Sequence, residues 1–193
     1  DIPAVAAKIR EAFRVDAALR ETAVGHILLS DEPLVQSFAR EHDLADYTDA
    51  EAVNYDVAVE VLSALEILNG YEDDTFKPTN HISREEMAKM IAVLANAGTD
   101  VSKLYAKATP FADVPETAWS ASYVAYCAKT GIVAGTSATT FSPAVNITGL
   151  ETAKMLLVVL GFDAEKQGYV GADWKVNVLR DAKVMGLLEG FMT

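Results

Sequence analysis

The chain has 193 residues, 51% of them hydrophobic, and a formal charge of -12 at pH 7. That apolar content suits packed cores and excludes bulk disorder. The acidic balance excludes a nucleic-acid surface or an anionic-lipid surface, because both call for a basic footprint.

The chain opens on Asp1 without a basic or apolar stretch, which reads as a processed or trimmed start with no signal peptide in view. Residues 1–24 have a helical pattern: Val5, Ile9, Ala12, Phe13 and Leu19 share one face, Pro3 suits a first turn and Gly25 a stop. Ser30 and Asp31 are cap residues ahead of Pro33. A short helix is expected over residues 32–41, with Leu34, Val35 and Phe38 inward. A longer helix is expected over residues 50–68, from the spacing of Val53, Val57, Ala58, Val61, Leu62 and Leu65. Gly70 is its expected stop. The polar loop 71–81 holds Pro78 and one large hydrophobe, Phe76, which plugs it onto the core.

Ser83 and Glu86 spell a capping box. The helix they open buries Met87, Met90, Ile91 and Leu94. Residues 97–110 read as a linker, weakly helical over 101–106. A helix over 117–130 follows Phe111-Ala112-Asp113-Val114 and turns Trp119, Tyr123, Val124 and Cys127 inward. Thr148 and Glu151 form a second capping box. The helix after it is apolar nearly all round (Leu150, Ala153, Met155, Leu156, Leu157), so it belongs in the middle of the molecule. Its longest apolar run, 155–160, is far below the ~20 residues that span a membrane, and no membrane insertion is expected. Cys127 is the single cysteine, so no internal disulfide is expected.

The chain repeats itself. Residues 70–90 read GYEDDTFKPTNHISREEMAKM and residues 135–155 read GTSATTFSPAVNITGLETAKM. Gly70 and Gly135, Phe76 and Phe141, Pro78 and Pro143, Ile82 and Ile147, Glu86 and Glu151, Lys89 and Lys154, Met90 and Met155 share an offset of 65. A third copy starts at Trp174: Trp174, Leu179, Ala182, Gly186, Leu187 and Gly190 match Trp119, Val124, Cys127, Gly131, Ile132 and Gly135 at an offset of 55. It reaches Thr193 before its loop and second helix. Repetition at this scale means stacked units sharing a core.

These repeats resemble the S-layer homology domain, whose pattern runs F-x-D-V, then W, G-I-(I/V)-x-G, D-G-T-F-x-P and I-T-R-A-E; its aspartate and glycine are Asp73 and Asp74 in the first copy and Ala138 and Thr139 in the second. The resemblance covers residues 44–193. It implies an all-α fold of helix-loop-helix repeats in a pseudo-threefold bundle. It divides the chain into an N-terminal helical segment (1–43), repeat 1 (44–98), repeat 2 (108–162) and a partial repeat 3 (168–193). It also implies an extracellular, cell-wall location and a non-catalytic anchor that binds secondary cell-wall polysaccharide, an acidic or pyruvylated glycan. Other surface-layer chains are further partners under this reading. The alternative is a structural or protein-interaction module whose glycan sites have degenerated.

Arg84 matches the family arginine and Ser83 the family threonine, which makes them the expected ligand contacts; Lys77 and Tyr71 on the adjoining loop join them. A helix first turn offers free N–H groups to an anion, and a guanidinium there can grip a carboxylate through two parallel hydrogen bonds. The competing reading of Arg84 is a surface arginine paired with Glu85 or another carboxylate. Repeat 2 has Gly149 in the arginine's place and the partial third copy has no site, so at most one family-type pocket is expected. Trp119 and Trp174 read as core residues. Glu86 and Glu151 read as capping residues, not catalytic acids. The run Glu72-Asp73-Asp74 lacks a calcium-loop pattern, and His26, His42 and His81 lack metal-ligand spacing. No cofactor is expected and no enzyme motif is present. The helix expected near 30–41 is read as filling the place left by the partial third copy.

Overall fold

The computed structural model describes residues 47–96, 99–103 and 105–188. The helices expected over residues 1–24 and 32–41 lie outside the described residues. Among the described residues five α-helices follow in order: α1 Asp56–Ala64, α2 Arg84–Ala95, α3 Ala121–Lys129, α4 Gly149–Val159 and α5 Trp174–Val184. Short 3-10 turns occupy Ala50–Ala52 and Val101–Lys103. Among the described residues there is no β-strand, and the fold is all-α as the resemblance implied.

Both complete repeats are built around one aspartate. Asp49 accepts hydrogen bonds from the N–H groups of Phe76 and Lys77, each at 2.7 Å. Asp113 does the same for Phe141 and Ser142, at 2.8 and 2.7 Å. The clamp holds Lys77 and Ser142 in left-handed backbone, with φ of 54° and 62°. It also stacks the loop phenylalanine on the ring two residues before the aspartate. Tyr47 lies 5.5 Å from Phe76, and Phe111 lies 5.4 Å from Phe141. Gly70 and Gly135 pass so close to these rings and loops that a methyl group would not fit: a Cβ on Gly70 would sit 2.1 Å from the Tyr47 ring, and one on Gly135 2.3 Å from the Ser137 carbonyl oxygen.

The expected helix over 50–68 is therefore shorter and ends differently. Its first residues form the 3-10 turn, because Asp49 caps the loop and not the helix: it makes no side-chain cap bond to the 3-10 turn it precedes. Gly70 is not the stop. The left-handed residue that ends α1 is Glu66 (φ 56°), and the Ile67 N–H turns back to the Leu62 carbonyl at 2.9 Å. Gly131 (φ 74°) and Gly186 (φ 70°) hold the equivalent place after α3 and α5. The three endings are one helix-terminating motif, with glutamate standing in for glycine once.

The two capping boxes form as read. Ser83 N–H donates to Glu86 and Glu86 N–H to the Ser83 hydroxyl; Thr148 and Glu151 repeat the exchange. The apolar helix α4 lies between two cores. Met155 packs into the larger one, with Met87, Ile91, Val124 and Phe141. Ala153 and Leu157 pack into the smaller one, with Tyr169, Val178 and Ala182. α3 packs against α2, and α5 against α4.

Repeats 1 and 2 meet along a short backbone joint. Ile147 N–H donates to the Ile82 carbonyl at 2.9 Å, Arg84 N–H to Val145 at 2.9 Å and Glu85 N–H to Pro143 at 3.0 Å. An isolated antiparallel bridge joins Ser83 and Asn146 in the same stretch. The Ser120 hydroxyl adds a bond to the Glu85 carboxylate at 2.6 Å. The expectation of free N–H groups at the start of α2 is corrected here: the loop of repeat 2 takes the first two, and the cap takes the third.

Candidate functional site

Two surface grooves occupy matching places on the two repeats. Groove A encloses about 740 Å³ and is lined by Gly70, Glu86, Lys89, Met90 and Trp119, among others. Groove B encloses about 260 Å³ and is lined by the equivalents Gly135, Glu151, Lys154, Met155 and Trp174. Each groove thus takes a glycine and a helix from one repeat and a tryptophan from the start of the next.

The four expected ligand residues do not gather in one place. Tyr71 and Lys77 line groove A. The Lys77 ammonium lies 4.2 Å from the Tyr71 ring centroid and 2.8 Å from the Asp73 carboxylate. Bonds from Lys77 and from the Thr75 hydroxyl pull the Asp73 carboxyl down to about 2. Ser83 is occupied by its capping exchange with Glu86. Arg84 crosses the joint and lines groove B, in the neighbouring repeat.

Arg84 is not a surface arginine. It is 4% exposed. Its Nη1 donates to Glu151 Oε1 at 2.6 Å, Nε to the Phe141 carbonyl at 2.8 Å and Nη2 to the Ala134 carbonyl at 3.0 Å. The guanidinium centre also lies 4.8 Å from the Phe141 ring centroid. Three of its five N–H groups are engaged in holding repeat 1 to repeat 2. The Glu151 carboxylate caps α4 with Oε2 and receives Arg84 with Oε1.

Lys154 stands beside this pair. Its ammonium is 5.7 Å from the Trp174 ring centroid, and Lys175 approaches the same ring at 5.8 Å. Burial, followed by the Arg84 guanidinium, pushes the Lys154 ammonium below its ordinary range, with Glu151 opposing. The recess thus holds two cations, Arg84 and Lys154, against one carboxylate, Glu151, which Arg84 already engages.

Both tryptophans were read as core; Trp174 does pack against the smaller core, and the structure corrects the reading for Trp119. Trp119 is 54% exposed because it sits in the turn before α3, outside the helix whose inward face it was assigned to. Trp174 is half-buried at the first position of α5. The sequence carried a signal for these lining residues: Lys89 and Lys154 recur in register, as do Trp119 and Trp174. Cys127 is buried and inert, with burial raising its thiol to about 12. Among the described residues no cluster of metal-ligating side chains occurs.

The sequence profile of the S-layer homology domain matches residues 46–88 and 110–153. The chain is similar to the Endoglucanase of Bacillus sp. (strain KSM-635), 35% identical over 100 residues, which is 50% of this chain and 10% of that protein. It is similar to Cell surface glycoprotein 1 of Acetivibrio thermocellus, 36% identical over 90 residues, 47% of this chain and 4% of that protein. It is also similar to the Surface-layer 125 kDa protein of Lysinibacillus sphaericus, 32% identical over 143 residues, 69% of this chain and 11% of that protein. The matches thus span only a small part of each relative. No solved structure gives a significant match.

Proposed function

Residues 46–88 and 110–153 belong to the S-layer homology family, whose domains are non-catalytic modules that anchor surface proteins to the cell wall, and from that premise we propose that this chain binds an acidic cell-wall polysaccharide, with groove B taking its charged sugar. The chain is part of an extracellular, cell-wall-associated protein. The observation that carries the reading is the pairing of Arg84 and Lys154 beside the Trp174 face in a recess of about 260 Å³, sized for about one sugar unit. The indole supports the apolar face of a sugar ring. Lys154 and the two remaining Arg84 N–H groups hold a carboxylate, such as that of a pyruvate ketal. Groove A, with Trp119, Tyr71, Lys77 and Lys89, takes the neighbouring part of the chain. Ser83 contributes by fixing the start of α2, which aims Arg84.

Sedimentation with purified cell-wall sacculi tests this. Trp174→Ala and Lys154→Ala are expected to weaken retention about tenfold each, a loss of about 1.4 kcal/mol, without unfolding the domain. Retention should also fall as pH rises past the lowered value of Lys154, because the bound anion favours the charged amine that the empty groove disfavours. Equal retention of wild type and both variants at every pH would defeat the groove B assignment. The second reading, a scaffold with degenerate sites, is favoured by Gly149 and by the internal engagement of Arg84. It predicts no retention of any version.

A further inference from the structure

Grooves A and B invert one polar contact at equivalent places. The capping glutamates Glu86 and Glu151 each accept their cap bonds with Oε2. Glu151 Oε1 then receives the Arg84 guanidinium at 2.6 Å. Glu86 Oε1, in groove A, receives no hydrogen bond among the described residues. Groove B therefore offers a ligand cationic donors, whereas groove A offers it a carboxylate acceptor.

The remaining charges point the same way. Apart from His81, the titratable lining of groove A is three carboxylates, Glu72, Asp73 and Glu86, and two ammonium groups, Lys77 and Lys89. Both ammonium groups already serve carboxylates of the protein. Lys77 lies 2.8 Å from Asp73. The Ser102 N–H leads the contacts that hold the Asp100 carboxyl below its ordinary range, and Lys89 is among them. A ligand carboxylate in groove A would face Glu72 and Glu86 with both lysines engaged, and like charges drawn together out of water repel strongly.

The aromatic lining suits an uncharged ligand. Trp119 is 54% exposed and Tyr71 41%. Two ammonium groups approach the Trp174 ring of groove B, at 5.7 and 5.8 Å, whereas no cation stands over Trp119 among the described residues. An open indole face buries the C–H face of a sugar ring. The Asn69 and Asn80 amides, also in the lining, add neutral donors and acceptors. At about 740 Å³ against about 260 Å³, groove A has room for about two or three units on the scale that gives groove B one.

We propose that groove A selects uncharged sugar units, laid along Trp119 and Tyr71 with one hydroxyl donating to Glu86 Oε1, while the acidic unit goes to groove B. The proposal rests on the glycan-anchor reading and gives each groove its own chemistry.

Sedimentation with purified cell-wall sacculi at about 0.1 M and about 1 M salt tests it, because the screening length falls from about 10 to about 3 Å between them. Trp119→Ala should lower retention about tenfold, by the same factor at both salts. Trp119→Phe, which keeps a ring face, should recover most of that loss. The loss from Lys154→Ala should shrink at high salt. Sacculi whose carboxyl groups have been reduced to alcohols should retain wild type and Lys154→Ala alike, and Trp119→Ala about tenfold less. A Trp119→Ala loss that shrinks with salt as the Lys154→Ala loss does overturns the proposal, since groove A would then hold a charged sugar. Equal retention of Trp119→Ala and wild type also overturns it, while leaving the groove B reading in place. Wild type retained on neither form of sacculi defeats the anchor reading, and the proposal with it.

Discussion

Grooves A and B share a floor and a roof but not their charge. Each has a glycine pressed against an aromatic ring, a capping glutamate, a lysine one turn further along the helix and a tryptophan from the next repeat. Groove B adds Arg84, which comes from repeat 1 and serves the groove of repeat 2. Groove A has no arginine in its lining among the described residues. The first-turn arginine is thus a residue lent across the joint. The arginine of α2 does not line the groove of its own repeat; it lines the neighbour's and ties the two repeats together. Gly149, the residue of repeat 2 at that position, is exposed and has nothing within 4 Å of where a Cβ would stand.

Removing the lent residue is among the largest expected perturbations. Arg84→Ala leaves the partly exposed Glu151 carboxylate and two inward carbonyls without their partner, and losing hydrogen bonds to a charged group costs about 2 kcal/mol. Urea denaturation should show that loss, with groove A lysine variants near zero; a loss under about 0.5 kcal/mol would mean the ion pair is not holding the joint. Next come the pressed glycines. Gly135→Ala would bring a methyl group against two backbone oxygens, at 2.3 and 2.5 Å, which cannot give way. Gly70→Ala meets first the Tyr47 ring, a movable side chain, and then a backbone oxygen at 3.0 Å. Gly135→Ala should therefore cost about 2–3 kcal/mol and Gly70→Ala about half of that; the reverse order would show that the two loops are not equivalent. The smallest effect has the opposite sign. Glu66→Gly relieves a left-handed glutamate at a place where the other two repeats use glycine, and should stabilise by about 1 kcal/mol in the same melts. If it destabilised instead, the ending of α1 would differ from those of α3 and α5.

Much of this was readable before any coordinates. The capping boxes were legible because a cap is a contact between residues three apart, set by local backbone geometry. The loop phenylalanines and the 65-residue register were legible because repetition exposes equivalent places. Two of the readings that needed correction depended on a partner far away in the chain, and one on where a helix begins. Trp119 has inward helical spacing relative to Tyr123, but the α3 helix starts after it, at Ala121. Gly70 follows an apolar helix and looks like its stop, yet what requires glycine there is the Tyr47 ring, 23 residues earlier. The start of α2 looks open to an anion until the repeat 2 loop is laid against it.

The order of the residues alone determined the helical class, the repeat and the places where the capped helices α2 and α4 begin, since those follow from interactions within one or two turns of chain. Only the tertiary structure decided which cation serves which groove. A guanidinium at the end of a long side chain can satisfy itself on either side of its helix, and the carbonyls of Ala134 and Phe141 with the Glu151 carboxylate, 50 to 67 residues away, fix the side it takes.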